Sequence, residues 1–214
     1  MIHENPMRIF GIVWLCLLST ALAGGCASTS QGEKMVQSYA RTRETVADVH
    51  HQVDLTLMAL NALRNAPAGN MKDAFSQYKD AVGALETERG SAQWRETTMK
   101  EESEDHIRAW QREMESIDDP MIKSSLESRR EAVRTNFALF QMYVDDAKKA
   151  FDPFLRGNKG LVQALSIDLS PAAMSSLSPS MDRVMTDGQA LKQRIMAVQR
   201  ALDNIANGVS PIGN

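Results

Sequence analysis

Apolar residues recur at three- and four-residue intervals over long stretches of this chain, and Pro, Gly, Asn and Asp separate those stretches. Over residues 33–64 they fall in heptads. Tyr39, Val46, Val53 and Leu60 form one seam and Met35, Val49 and Leu63 the other, with Thr42 and Thr56 as weak points. That spacing puts the apolar side chains on one face of a long amphipathic helix. Asn65-Ala-Pro-Ala-Gly-Asn70 ends it, since Pro67 cannot continue a helix and Gly69 and Asn70 suit the capping positions. A second helix carries Met71, Phe75, Tyr78, Val82, Leu85, Ala92, Met99, Ile107, Trp110, Met114 and Ile117. Its interval 88–104 is mostly polar. Gly83 and Gly90 each cost about 1 kcal/mol relative to Ala, so a bend or frayed turn is expected near Gly90.

Asp118-Asp119-Pro120 supplies an N-cap and a proline suited to a first helical position, and so short a turn makes the second and third helices antiparallel neighbours. The third helix has the richest apolar stripe, with Ile122, Leu126, Val133, Phe137, Phe140, Val144, Ala147, Phe151 and Phe154, and is expected at the centre of the core. Pro153 should kink or end it, and Gly157-Asn-Lys-Gly160 should loosen the next turns, before Leu161, Val162 and Leu165. Ser170-Pro171 opens a short helix to Leu177, and Ser178-Pro179 opens a last one holding Met181, Val184, Leu191, Ile195, Val198, Leu202 and Ile205. Asn207-Gly208 stops it, leaving a frayed tail over 211–214. Alternating β-branched and aromatic runs are missing. The fold class is therefore all-α: an elongated antiparallel helical bundle or coiled coil of three long helices, a short helix and a C-terminal helix.

The N-terminal segment has a different pattern. Arg8 precedes an apolar run over residues 9–22 that is too short to span a bilayer comfortably, and the run meets Leu22-Ala23-Gly24-Gly25-Cys26, which resembles a bacterial lipobox. The expected organisation is a lipoprotein signal peptide over 1–25, a lipidated Cys26 with a flexible linker over 26–32, and one helical-bundle domain over 33–214. Cys16 leaves with the signal peptide and Cys26 carries the lipid, so no thiol remains for a disulfide or for nucleophilic chemistry. Two or three acyl chains make attachment stable where one does not. Ala27 and Ser28 stand where an Asp commonly retains lipoproteins in the inner membrane, which points to the outer membrane, periplasmic face.

Composition narrows the function classes. Aromatics make up 6% of the chain, and the net charge of −3 provides no basic surface for nucleic acid. The thirteen Met residues suit core filling. His50 and Asp54 share a helix face, but His51 points elsewhere and no Glu-x-x-His pattern completes a bundle metal site, so no metal is expected. Glu101, Glu102, Glu104, Asp105 and His106 read as a solvated face. Catalytic elbows, phosphate loops and haem-attachment spacings are missing, so neither an enzyme nor a cofactor is expected.

Trp110-Gln-Arg-Glu113, Met121-x-x-Ser-Ser-Leu126, Asp146-Ala-Lys-Lys-Ala-Phe-Asp-Pro-Phe-Leu155 and Leu169-Ser-Pro-Ala-Ala-Met-Ser-Ser-Leu177 together resemble a family of bacterial helical lipoproteins catalogued as a domain of unknown function. The resemblance covers most of the chain after Cys26. It implies a helical lipoprotein and brings no activity with it. The family tends to be more polar before the short helix than Ala164-Leu-Ser-Ile-Asp-Leu169 is here.

The expected role is a membrane-tethered structural or interaction module that meets another envelope protein or the cell wall. Trp94, in the polar interval, is the candidate docking residue, and Trp110 is assigned to the core. The alternative is a small-molecule or lipid carrier with a pocket near Pro153 and 157–160, lined by Phe151, Phe154 and Leu161.

Overall fold

The computed structural model describes residues 26–209, with side chains from Lys34 to Ala206. Residues 1–25, the expected signal peptide, and 210–214, which include the expected frayed tail, lie outside the described residues. Among the described residues four long helices occur in order: α1 (Cys26–Arg64), α2 (Met71–Glu115), α3 (Pro120–Ile167) and α4 (Pro171–Val209), with one turn of 3₁₀ helix, Ala68–Asn70, before α2. Among the described residues there are no strands. At 1.5 Å per residue the helices run about 60 to 70 Å. The chain is an all-α bundle.

Short turns dictate the topology. α1 packs along α2 and α3 along α4 as two antiparallel hairpins, α4 returns against α1, and α2 meets α3 least extensively. The caps are those the sequence implies. Asp119 Oδ1 accepts from the Met121 and Ile122 backbone N–H groups at 2.8 and 3.1 Å, and Ser170 Oγ accepts from the Ala173 N–H at 3.2 Å.

Two apolar clusters fill the bundle. One, nearer the α1–α2 turn, gathers Val53, Leu57, Leu60 and Leu63 of α1 with Tyr78, Leu85, Phe154, Leu161, Met181 and Leu191. The other packs Met35, Tyr39 and Met99 against Val133, Phe137, Phe140, Val198, Leu202 and Ile205. Both α1 seams are buried apart from Val46, which is half-buried, and the weak points are accommodated locally: Thr42 and Thr56 are buried and donate to the carbonyls of Ser38 and Gln52, both at 2.8 Å. In the first cluster the Tyr78 hydroxyl donates to Asn158 Oδ1 at 2.8 Å, and Asn158 Nδ2 donates to the Phe154 carbonyl at 2.8 Å. Burial pushes the Tyr78 phenol well above its ordinary range.

Several expected breaks are absent. α2 runs through Gly90, and α3 continues through Pro153 and 157–160 to Ile167. The expected short and C-terminal helices are one element, α4, which passes through Pro179 and 207–208. Pro153 and Pro179 are exposed, so each removes one ladder bond on a wet face where water can satisfy the freed carbonyl. Packing of the inward face holds the rest of the helix. α1 begins at Cys26, within the stretch expected to be a flexible linker. The apolar stripe of α3 places Ile122 and Leu126 in the core, yet Ile122 is 52% exposed and Leu126 half-buried. The antiparallel register of α3 on α4 explains this, because roughly the first three turns of α3 extend past Val209 and have no α4 beside them.

The glycines divide by environment. A Cβ on Gly188 would lie 2.6 Å from Leu57 Cδ2 and 2.8 Å from Phe154 Cε2, and one on Gly157 would lie 2.6 Å from Val184 Cγ2, so these two glycines allow close helix approach. Gly90 faces open space. Gly90→Ala should therefore stabilise the bundle by about 0.5 to 1 kcal/mol, through helix propensity and a less entropic unfolded chain. Gly188→Ala should destabilise it by about 1 to 3 kcal/mol through overpacking. Urea titrations of the two variants check both signs.

Candidate functional site

The polar interval of α2 is where the structure departs most from a simple bundle. Arg95 lies at its middle and is only 5% exposed, facing α1. Its Nε donates to Thr42 Oγ1 at 3.1 Å, and its Nη2 donates to Ser38 Oγ at 2.7 Å and to Glu102 Oε2 at 2.8 Å. Ser38 Oγ also donates to Glu102. Helical periodicity assembles this node, since Arg95 and Glu102 stand seven residues apart on α2 and Ser38 and Thr42 four apart on α1. A buried guanidinium is costly unless its donors are matched, and here a carboxylate and two hydroxyls match them. Next to the node in both helices, burial pushes the Tyr39 phenol up to about 12, and the neighbouring Ser103 hydroxyl offsets only part of that rise. The two oxygens sit close without a well-formed hydrogen bond, and both are buried.

Beside the node lies a cavity of about 300 Å³ at the junction of the two apolar clusters. All four helices line it. Val46 and Val49 of α1, Ala92 of α2, Phe140, Val144 and Ala147 of α3, and Leu191 and Ile195 of α4 supply apolar wall. The physical reason is the residue content of α2 at this level: Ala92, Gln93, Arg95 and Glu96 stand where larger apolar side chains would fill the centre. Two ion pairs straddle the α2–α3 side of the cavity. Arg89 Nη2 lies 2.6 Å from Asp152 Oδ1, and Lys148 Nζ lies 2.6 Å from Glu96 Oε2. The Arg89 guanidinium also sits 5.9 Å from the Phe151 ring centroid.

The residues singled out by sequence fall in several places. Trp94 is 67% exposed, with the Arg95 guanidinium 5.8 Å from its ring centroid. Trp110 is half-buried against the second cluster, and His106 meets its ring edge-on at 5.8 Å. Desolvation lowers the His106 pKa, partly opposed by the Glu113 charge. Glu101, Glu104 and Asp105 are exposed, as a solvated face requires, whereas Glu102 turns inward to pair with Arg95. His50 Nδ1 lies 3.8 Å from Asp54 Oδ2, and Lys192 of α4 takes the other Asp54 oxygen at 2.5 Å. Among the described residues no three His, Cys, Asp or Glu gather as a metal site needs, and no helix is long and apolar enough to cross a membrane.

The pocket expected near Pro153 is displaced. Phe151 lines the cavity, but Phe154 and Leu161 are packed inside the first cluster because α3 does not loosen at 157–160. Sequence reading also passes over Arg95. The available signal is the pair of Thr interruptions in the α1 seam, of which Thr42 proves to be an Arg95 partner.

The family described as protein of unknown function (DUF2959) matches residues 27–208. No curated protein and no solved structure matches the chain.

The node makes contrasting demands on its two charged members. Arg95→Met combined with Glu102→Leu, which swaps the whole pair for apolar side chains of similar volume, should change unfolding free energy by less than about 1 kcal/mol or stabilise the fold. Glu102→Ala leaves the guanidinium buried with hydroxyl partners only, and should destabilise by about 1 to 3 kcal/mol. Chemical denaturation of both variants checks the ordering.

Proposed function

The chain belongs to the DUF2959 family, and we propose that it is a lipid-anchored bundle of the bacterial outer membrane, facing the periplasm, that presents the α2 face around Trp94 to another envelope protein or to the cell wall. The observation that carries this reading is the exposure of Trp94 in the middle of an otherwise polar helix face. A large aromatic left in water forgoes burial in the free protein and is the residue type that anchors interfaces. Anchoring rests on the lipobox-like Leu22-Ala-Gly-Gly-Cys26. The arrangement is compatible with it, because the antiparallel register of α1 on α2 brings Cys26 beside the α2–α3 turn. There Met121 is 82% exposed and Ile122 is next to it, apolar groups that a bilayer surface would accept.

A second reading, a carrier of small molecules or lipids, is favoured by the mid-bundle cavity, which combines apolar wall with polar and charged side chains on its α2 and α3 sides, as ligand pockets do.

Intact mass measurement of protein purified from membranes should give a chain beginning at Cys26 with added acyl mass, and Cys26→Ala should leave an uncleaved precursor. A different first residue, or no acyl mass, overturns the anchor.

Trp94→Ala should leave the melting midpoint within about 2 °C, because an exposed side chain adds little to the fold, yet remove a crosslinked partner in intact cells. Lost stability with the crosslink retained overturns the docking face.

A further inference from the structure

The cavity has a chemical polarity of its own, and we propose that it binds a single-chain alkyl carboxylate of about ten carbons, tail inward and carboxylate at Arg95, which rests on the carrier reading of this protein. The volume sets the tail. About 300 Å³ is roughly ten water-sized spaces, and a methylene group fills about as much room as a water. The walls set its character, since Val46, Val49, Val144, Leu191 and Ile195 come from three helices and offer only hydrocarbon. Each methylene moved from water into such a wall adds roughly fourfold to affinity.

The head group is set by how the buried ion pair is oriented. Arg95 forms part of the cavity wall, whereas its partner Glu102 does not line the cavity and is 37% exposed. The positive end of the pair therefore borders the cavity, and the negative end lies away from it along the α1–α2 interface beside Ser38. Arg95's described contacts to Thr42, Ser38 and Glu102 engage Nε and Nη2, and the proposal gives Nη1 the carboxylate. Arg89 and Lys148 also line the cavity, as do the carboxylates Glu96 and Asp152, so the lining carries three cations against two anions. The two carboxylates sit in surface pairs with Lys148 and Arg89, which are weak and exchangeable.

The entry route is the α2–α3 side. Those two helices share the least extensive contact of the four neighbouring pairs, and the Arg89–Asp152 and Lys148–Glu96 pairs cross it. A local parting at that level breaks those two ion pairs and leaves the buried Tyr78–Asn158 bond between the same helices in place.

Photolabelling of the full chain in isolated membranes tests this, using three diazirine-bearing ten-carbon probes that end in a carboxylate, an alcohol or a trimethylammonium group. The carboxylate should label peptides containing Val144 or Ile195 at least tenfold more than the ammonium probe, and excess decanoate should compete it away. Ala147→Trp, which fills the cavity, should abolish labelling by all probes; if that variant does not melt cooperatively, Val46→Phe takes its place. Arg95→Met should cut carboxylate labelling tenfold and leave alcohol labelling unchanged, a split that a merely structural role does not produce. Equal labelling by all three head groups, or carboxylate labelling indifferent to Arg95→Met, overturns the carboxylate assignment and leaves the carrier reading standing. Labelling by no probe at these walls, or labelling that survives the filled cavity, overturns both.

Discussion

A guanidinium held almost out of water sets the terms for this bundle. Arg95 must find fixed acceptors, and it finds them only if α1 and α2 stand in the register that brings Ser38 and Thr42 opposite Arg95 and Glu102. Sliding α1 along α2 by one turn would leave the cation unmatched, at a cost comparable with much of a domain's net stability. Apolar seams tolerate such slips far better, because one Leu replaces another with little loss. The node is thus the specific element among general ones, as polar residues in coiled-coil seams fix register.

The same group keeps the core from closing. Above and below it, α1 and α4 meet α2 and α3 through two well-filled clusters, but at its level α2 contributes small and polar side chains. The result is an apolar space bounded on its α2–α3 side by ion pairs rather than by interdigitated side chains. Ion pairs between half-exposed groups hold helices loosely. At the level of the cavity this is the seam that can open with the least loss of packing, since the buried Tyr78–Asn158 bond and the first cluster tie α2 to α3 further along.

Successive helical residues point about 100° apart, and around Trp94 and Arg95 that geometry inverts the usual arrangement: the aromatic is in water and the cation is inside. A sequence selected only for a stable bundle would place them the other way. Local departures of this kind concentrate at functional sites, and both proposals for this protein, an outward docking face and an inward ligand cavity, start from this one stretch of α2. Its family assigns it no chemistry, so the physical oddity of the segment is the strongest guide to its role.

Much of the fold was legible because it depends on periodicity and on local rules. The heptads of α1, the stripe of α3 from Val133 onward, the Asp119 and Ser170 caps and the turn at Pro67 are decided by neighbours within four residues, and they stand in the structure as the spacing implies. Helix continuity was not legible. Gly90, Pro153 and Pro179 are unfavourable in isolation, and only long inward faces packed on other helices outweigh the one or two lost interactions at each. Nor could the sequence reveal which members of a charged run turn inward. Glu102 and Glu101 are alike as residues, and what distinguishes them is that a guanidinium and two hydroxyls, brought together from two helices, lie on one side of the helix and water on the other. Pattern determined the elements and their faces. The cavity and the fate of each buried charge were decided by tertiary packing, because they depend on what four separate helices bring to the same level.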